Sequence, residues 1–118
     1  MSIIVYGIPN CDTVKKARVW LQENNVVFHF HDFKKAGLSA EIAQNWLAQQ
    51  PWDVLLNRKG TSWRALSDES KATCVDAMSA LPLLLENPSL VKRPVLEQDG
   101  KVLAVGFAAE RYQAIFAS

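Results

Sequence analysis

The stretch from Ile3 to Arg18, IIVYGIPNCDTVKKAR, limits what this chain can fold into more than any other. Ile3, Ile4, Val5 and Tyr6 make a β-branched, apolar run suited to a strand buried in a sheet. Gly7, Pro9 and Asn10 break that run, because Gly relaxes the limits on φ while Pro fixes φ and removes a donor. From Asp12 onward Val14, Ala17 and Leu21 recur at helical spacing, with Val19 and Trp20 on the flank. A strand therefore feeds a helix, and Cys11 sits at the junction. The first backbone N–H groups of such a helix have no partner within it and point toward whatever occupies the turn.

This placement has chemical consequences. Unpaired N–H groups and the positive end of a helix dipole favour a thiolate over a thiol. Lys15, one turn on at i+4, and Lys16 beside it push the same way. Asp12 opposes them as a negative neighbour, although an acid in the first turn favours the helix. A free cysteine that only packs is the ordinary alternative. The polar, broken loop before Cys11 argues instead for a reactive one.

With 118 residues, 49% of them hydrophobic, the chain is one domain's worth and can bury a conventional core. A formal net charge of +1 gives no global attraction to nucleic acid or to an acidic membrane, so any preference for anions is local. Met1 to Tyr6 lacks the basic and apolar regions of a signal peptide, and no stretch reaches the length of a membrane span. The expectation is a cytoplasmic, soluble monomer. Cys11 and Cys74 are far apart and in unlike contexts, which makes neither a disulfide framework nor a paired metal site. Both fit a reducing compartment as free thiols. Cys74, within ATCVDA, reads as helical and as packing; a role as resolving thiol would lack activating neighbours.

Further along, the first helix should fade near Asn24-Asn25, and Val26 to Asp32 alternates as a strand. His29 and His31 share a face of it, with no third metal ligand recognisable nearby, so no metal is expected. Two such strands joined by a helix form a right-handed βαβ unit. Lys34 to Gly37 reads as a turn, and Ser39 as the N-cap of a helix with Ile42, Trp46 and Leu47 inward and Pro51 at its end. Leu55 and Leu56 anchor the next segment, while Asn57 to Gly60 makes a polar, basic turn. Ser67 to Glu86 reads as one or two helices with Met78, Leu81, Leu84 and Leu85 on the apolar face and a kink or break near Ala80-Leu81, caused by Pro82. Val91 to Leu96 and Val102 to Val105 flank an Asp99-Gly100 turn, a strong hairpin signal, and Phe107 to Phe116 closes as a helix. The order is β-α-β, a helical insert at roughly 39–90, then β-β-α. That order predicts a single α/β, thioredoxin-like domain over residues 1–118, with a mixed four-stranded sheet flanked by helices.

GIPNCDTVKKAR resembles the thioredoxin-fold arsenate reductase (ArsC) family, in particular its small members and the related Spx-type regulators. The resemblance continues through Leu55-Leu56-Asn57 with Gly60, Trp63 and Arg64, through Lys92-Arg93-Pro94-Val95, and through Val105-Gly106-Phe107. It implies that Pro94 is the cis-proline facing the reactive cysteine, and that Arg93 presents its guanidinium near Cys11. Five fixed donors there would favour the thiolate and hold an anion bidentately. In the family an arginine after the two leucines helps hold the oxyanion; here that position is Asn57, with Arg58 one further on. The family's third arginine falls on or beside Val105-Gly106, where this chain has none, so thiol chemistry fits better than arsenate.

The position three after Cys11, where glutaredoxin-like chemistry often has a second cysteine, is Val14. One thiol needs an external one to finish a turnover, and glutathione, with its two carboxylates, suits Lys15, Arg58 and Arg93. The resemblance thus implies a glutathione-dependent thiol reductase with Cys11 as nucleophile and Arg93 as activator and anion clamp. An oxyanion or oxidised thiol would be its substrate, and no cofactor would be bound. Asn10, Asp12, Thr13, Val14, Lys15, Asn57, Arg58 and Pro94 are the expected substrate-binding residues, the N–H groups from Asp12 to Val14 forming the cradle. Two alternatives stay open: a Spx-like module docking on RNA polymerase or another protein, and a true arsenate reductase using the Gly106 backbone in place of the missing arginine.

Overall fold

The computed structural model describes residues 2–117. In chain order its elements are β1 (Ile3–Gly7), α1 (Asp12–Glu23), β2 (His29–Asp32), α2 (Phe33–Ala36), α3 (Ala40–Gln49), α4 (Trp52–Leu55), α5 (Thr61–Arg64), α6 (Asp68–Thr73), α7 (Ala77–Glu86), a 3-10 turn (Pro88–Leu90), β3 (Val95–Gln98), β4 (Lys101–Val105) and α8 (Ala109–Phe116). They fall into two compact units, residues 37–92 forming one and the segments on either side forming the other.

The unit made by the two flanking segments holds a mixed four-stranded sheet in the order β2-β1-β3-β4, the thioredoxin-like arrangement. β1 runs parallel to β2 and antiparallel to β3, and β3 is antiparallel to β4. Asp99 and Gly100 make the hairpin turn, both at positive φ (50° and 86°), which is why Gly suits the second position. Side chains alternate along β1, so Ile3 and Val5 join Leu96, Ala104, Ala17, Leu21 and Tyr112 in one core. Tyr6 points to the other face, its ring 4.8 Å from that of His31 and its hydroxyl 3.4 Å from buried Glu97, to which it donates.

Tyr112 anchors α8. Its ring meets Trp20 and Phe107 edge-on, at 5.6 and 4.8 Å, while its buried hydroxyl has no hydrogen-bond partner among the described residues. An unsatisfied buried hydroxyl is unfavourable, so Tyr112→Phe should leave stability unchanged or raise it by ~1 kcal/mol in urea unfolding. A clear loss would show that the hydroxyl is in fact satisfied. Burial and the charge of Glu97 push the Tyr6 phenol from 10.0 up to about 12, and burial pushes Tyr112 the same way. Both raised phenols stabilise the fold fully below the unfolded value and lose that contribution as pH rises through the folded values. These are the only two tyrosines. Tyrosinate absorbance should therefore be absent at pH 10 and appear together with loss of ellipticity; ionisation of either phenol at its ordinary value in the folded chain would contradict this.

The unit of residues 37–92 is helical. Ser39 caps α3 by accepting from the Ile42 N–H at 3.2 Å, and Ala43 and Trp46 are its buried residues. Residues 55–57 and 90–92 join through a Leu56–Val91 bridge, with Lys92 N–H donating to Leu55 at 2.7 Å and Asn57 N–H to Leu90 at 2.8 Å.

The structure adjusts several of the sequence expectations. β2 begins only at His29, because the Val26 N–H closes the end of α1 on Leu21 C=O at 2.9 Å. Phe33–Ala36 is a helical turn, started by Asp32 accepting from the Lys34 N–H at 2.8 Å. The break between α6 and α7 lies at residues 74–76 and not at Pro82, which is accommodated inside α7. A capping box between Asp76 and Ser79 fixes that boundary, and its hydrogen bonds hold the Asp76 carboxyl below the usual range. Met78 is exposed, leaving Ala80 and Leu84 as the buried residues of α7. Finally, β3 starts at Val95 and α8 at Ala109, each later than its apolar pattern suggests.

Candidate active site

The sheet registers bring several segments to one end. Gly7 pairs with Asp32, Tyr6 with Val95, and Val95 with Val105. The exits of β1, β2 and β4 and the entrance of β3 therefore share an edge. There stand the Gly7–Cys11 loop, Asp32, the Arg93-Pro94 pair and Gly106. The Arg93-Pro94 peptide is cis, Pro94 is fully buried and Arg93 is half-buried. The Gly106 N–H donates to Pro94 C=O at 2.9 Å, tying the end of β4 to the same point.

Cys11 is the N-cap of α1, in extended conformation (φ −98°, ψ 124°), and is half-buried. Its carbonyl accepts the first helical hydrogen bond, from the Lys15 N–H at 2.9 Å, while its side chain makes no capping bond. The N–H groups of Asp12, Thr13 and Val14 precede the first donor that the helix can use, so they are available to an anion at the sulfur. Asn10, Asp12, Thr13 and Lys15 are exposed around the turn. Val14 differs: its side chain is fully buried, so only its backbone can face a ligand.

Asn57 and Arg58 lie in the helical unit, where both have local roles. Asn57 Oδ1 accepts from the Lys59 N–H at 3.2 Å, and the amide fills the space beside Gly60, where a Cβ would come 2.7 Å from Nδ2. The Arg58 guanidinium lies 5.6 Å from the Trp52 ring centroid. Cys74 in the same unit is the buried C-cap of α6, not helical as its sequence suggested, and burial pushes its thiol up despite the opposing charge of Arg58. Among the described residues no group of three or more His, Cys, Asp or Glu could hold a metal ion.

Two features escaped the sequence. One is the packing of Val14 on Gly7, which joins the end of β1 to the start of α1. The other is a groove of about 420 Å³ beside α1, lined in part by Lys15, Lys16, Val19, Trp20 and Phe107. Its signal was present: Val19 and Trp20 are apolar on the flank of a helix whose core stripe is already complete.

Residues 6–115 match the ArsC family model. An uncharacterised protein of Haemophilus influenzae is 48% identical over 98% of this chain and 99% of its own. The solved structure of the YffB (PA3664) protein superposes with a TM-score of 0.92 at 44% identity, covering 98% of this chain and all of that one. An arsenate reductase (ArsC) related protein from Brucella melitensis is 51% identical, with a TM-score of 0.78, over the whole of this chain and 97% of that one.

Proposed function

The chain belongs to the ArsC family, and from that membership we propose that it is a glutathione-dependent thiol reductase with Cys11 as its single nucleophile. The observation that carries this reading is Cys11 at the N-cap of α1, at the sheet end that also holds Arg93 and Pro94. The Cys11 thiolate attacks the glutathionyl sulfur of a mixed disulfide RS–SG. The S–S bond breaks, RS⁻ leaves with the electron pair, and Cys11 is left joined to glutathione. A second glutathione thiolate attacks that glutathionyl sulfur, releasing oxidised glutathione and the Cys11 thiolate. Overall, RS–SG and one glutathione give RSH and oxidised glutathione.

The N–H groups from Asp12 to Val14, with the Thr13 hydroxyl, stabilise negative charge at the sulfur. Arg93 clamps a carboxylate and favours the thiolate. Glutathione is a co-substrate, not a resident cofactor, and the reducing compartment it implies is the cytoplasm. Arsenate is the weaker substrate, because the Gly106 N–H that could replace the missing arginine is already bonded to Pro94.

The test is reduction of a glutathionyl mixed disulfide by the purified chain with glutathione, followed through coupled NADPH consumption. Turnover above the uncatalysed exchange supports the reading, and its absence removes it. A second reading draws on relatives such as the global transcriptional regulator Spx of Streptococcus mutans, 26% identical over 95% of this chain. On that reading the fold serves a regulatory partner such as RNA polymerase, and a Cys11→Ser chain would still bind it.

A further inference from the structure

We propose that the groove between α1 and Phe107 receives the leaving half of the disulfide, and that this half is a small thiol carrying an apolar body and a carboxylate. The proposal rests on Cys11 being the nucleophile. Cys11 does not itself line the groove, but both walls start near it. Lys15 and Val19 follow the N-cap Cys11 at four-residue spacing, so the lining of the groove begins one helical turn from that residue. Its other wall, Phe107, directly follows Gly106, which is bonded to Pro94 at the same sheet end.

The walls are held in place rather than free to collapse. Trp20 and Phe107 both rest edge-on against buried Tyr112, at 5.6 and 4.8 Å. Val19 remains 49% exposed on the helix between them, an apolar side chain left open to a partner. A volume of about 420 Å³ suits a small organic group. The charges give it direction. Lys15 and Lys16 stand at the end nearest Cys11, and neither ammonium has a carboxylate partner among the described residues, whereas Glu23 closes the far end. A ligand that matches this order has its carboxylate close to its sulfur and its apolar body beyond, over Val19 and the two rings.

In the exchange step Cys11 attacks the glutathionyl sulfur, and the thiolate RS⁻ that departs with the electron pair is the group seated in the groove. The groove thus sets which thiols are released fastest, while glutathione is common to all of them.

Two mixed disulfides of glutathione distinguish the cases, one with 5-thio-2-nitrobenzoate and one with 2-mercaptoethanol. Each rate with the full chain is divided by the rate with dithiothreitol alone, which removes the intrinsic leaving-group difference. The enhancement should be about 10-fold greater for the aromatic carboxylate. Val19→Glu puts a negative charge in the groove and Lys16→Glu reverses the charge at its mouth. Both positions are exposed, and each change should bring the ratio of enhancements toward one. Equal enhancements in the unmodified chain, or a ratio indifferent to both variants, would overturn the groove assignment and leave the reductase reading standing. If neither disulfide reacts with Cys11, the reductase reading fails first.

Discussion

Cys11→Ser should lower the turnover of a glutathionyl disulfide by at least ~10³-fold, because a serine hydroxyl neither ionises near neutral pH nor attacks sulfur usefully. The comparison that gives this result meaning is Cys74→Ser. Cys74 is 6% exposed and burial pushes its thiol up, so it supplies little thiolate. Its replacement should leave turnover within about 2-fold, since an unactivated thiol contributes nothing that serine lacks. Arg93→Ala should fall between the two. Losing a charge-assisted contact of about 1.5–3 kcal/mol corresponds to roughly 10- to 100-fold. Iodoacetamide alkylation separates its two proposed roles, because the reagent is uncharged and reads only the thiolate. A slower alkylation in Arg93→Ala assigns the arginine to the sulfur; an unchanged one assigns it to the carboxylate of the substrate. Turnover surviving in Cys11→Ser would end the single-nucleophile mechanism.

Much of this arrangement is legible in the sequence because it depends on short-range rules. The β-branched run ending at Gly7, the cysteine before a helical stripe and the Asp99-Gly100 turn each specify their own backbone, and the structure has β1, α1 and the β3–β4 hairpin where they point. Misreadings arose where a backbone group was diverted to a partner the local pattern does not reveal. Val26 has the alternation of a strand, yet its N–H closes α1 on Leu21. Val91 and Lys92 look like the start of β3, yet they pair with residues 55–57. Pro82 looked like a break, but the decisive event was the Asp76–Ser79 box six residues earlier. For the site, sequence order and family resemblance brought forward Cys11, Arg93 and Pro94. They could not foretell that Asn57 is occupied in holding its own turn or that the Arg58 guanidinium rests near the Trp52 ring. Nor could they supply the groove, since its walls come from α1 and from a residue some ninety positions later, both of which pack edge-on against Tyr112.

Gly7→Ala should cost about 2–3 kcal/mol, a large share of the stability of a small domain, although it adds one methyl group. An added Cβ at Gly7 would lie 2.7 Å from Val14 Cγ2 and 3.3 Å from Cγ1. Val14 cannot easily move aside: it is fully buried, and a β-branched side chain in a helix has one strongly preferred rotamer. The strain must therefore displace β1 from α1 at the point where the cysteine loop leaves the strand. Val14 lies in the first turn of α1, so its displacement tilts the N–H groups proposed to face the Cys11 sulfur. Stability and thiol reactivity should consequently fall together. The double variant Gly7→Ala with Val14→Ala tests this cause, because removing both Val14 methyl groups clears the space. Its unfolding free energy should exceed the value expected from adding the two single losses by at least ~1 kcal/mol, a coupling of the size found between residues in contact. Cys11 alkylation should recover with it. Simple additivity would mean that the close approach of Gly7 to Val14 does not limit the fold, and recovery of stability without reactivity would separate the packing of α1 from the chemistry at its first turn.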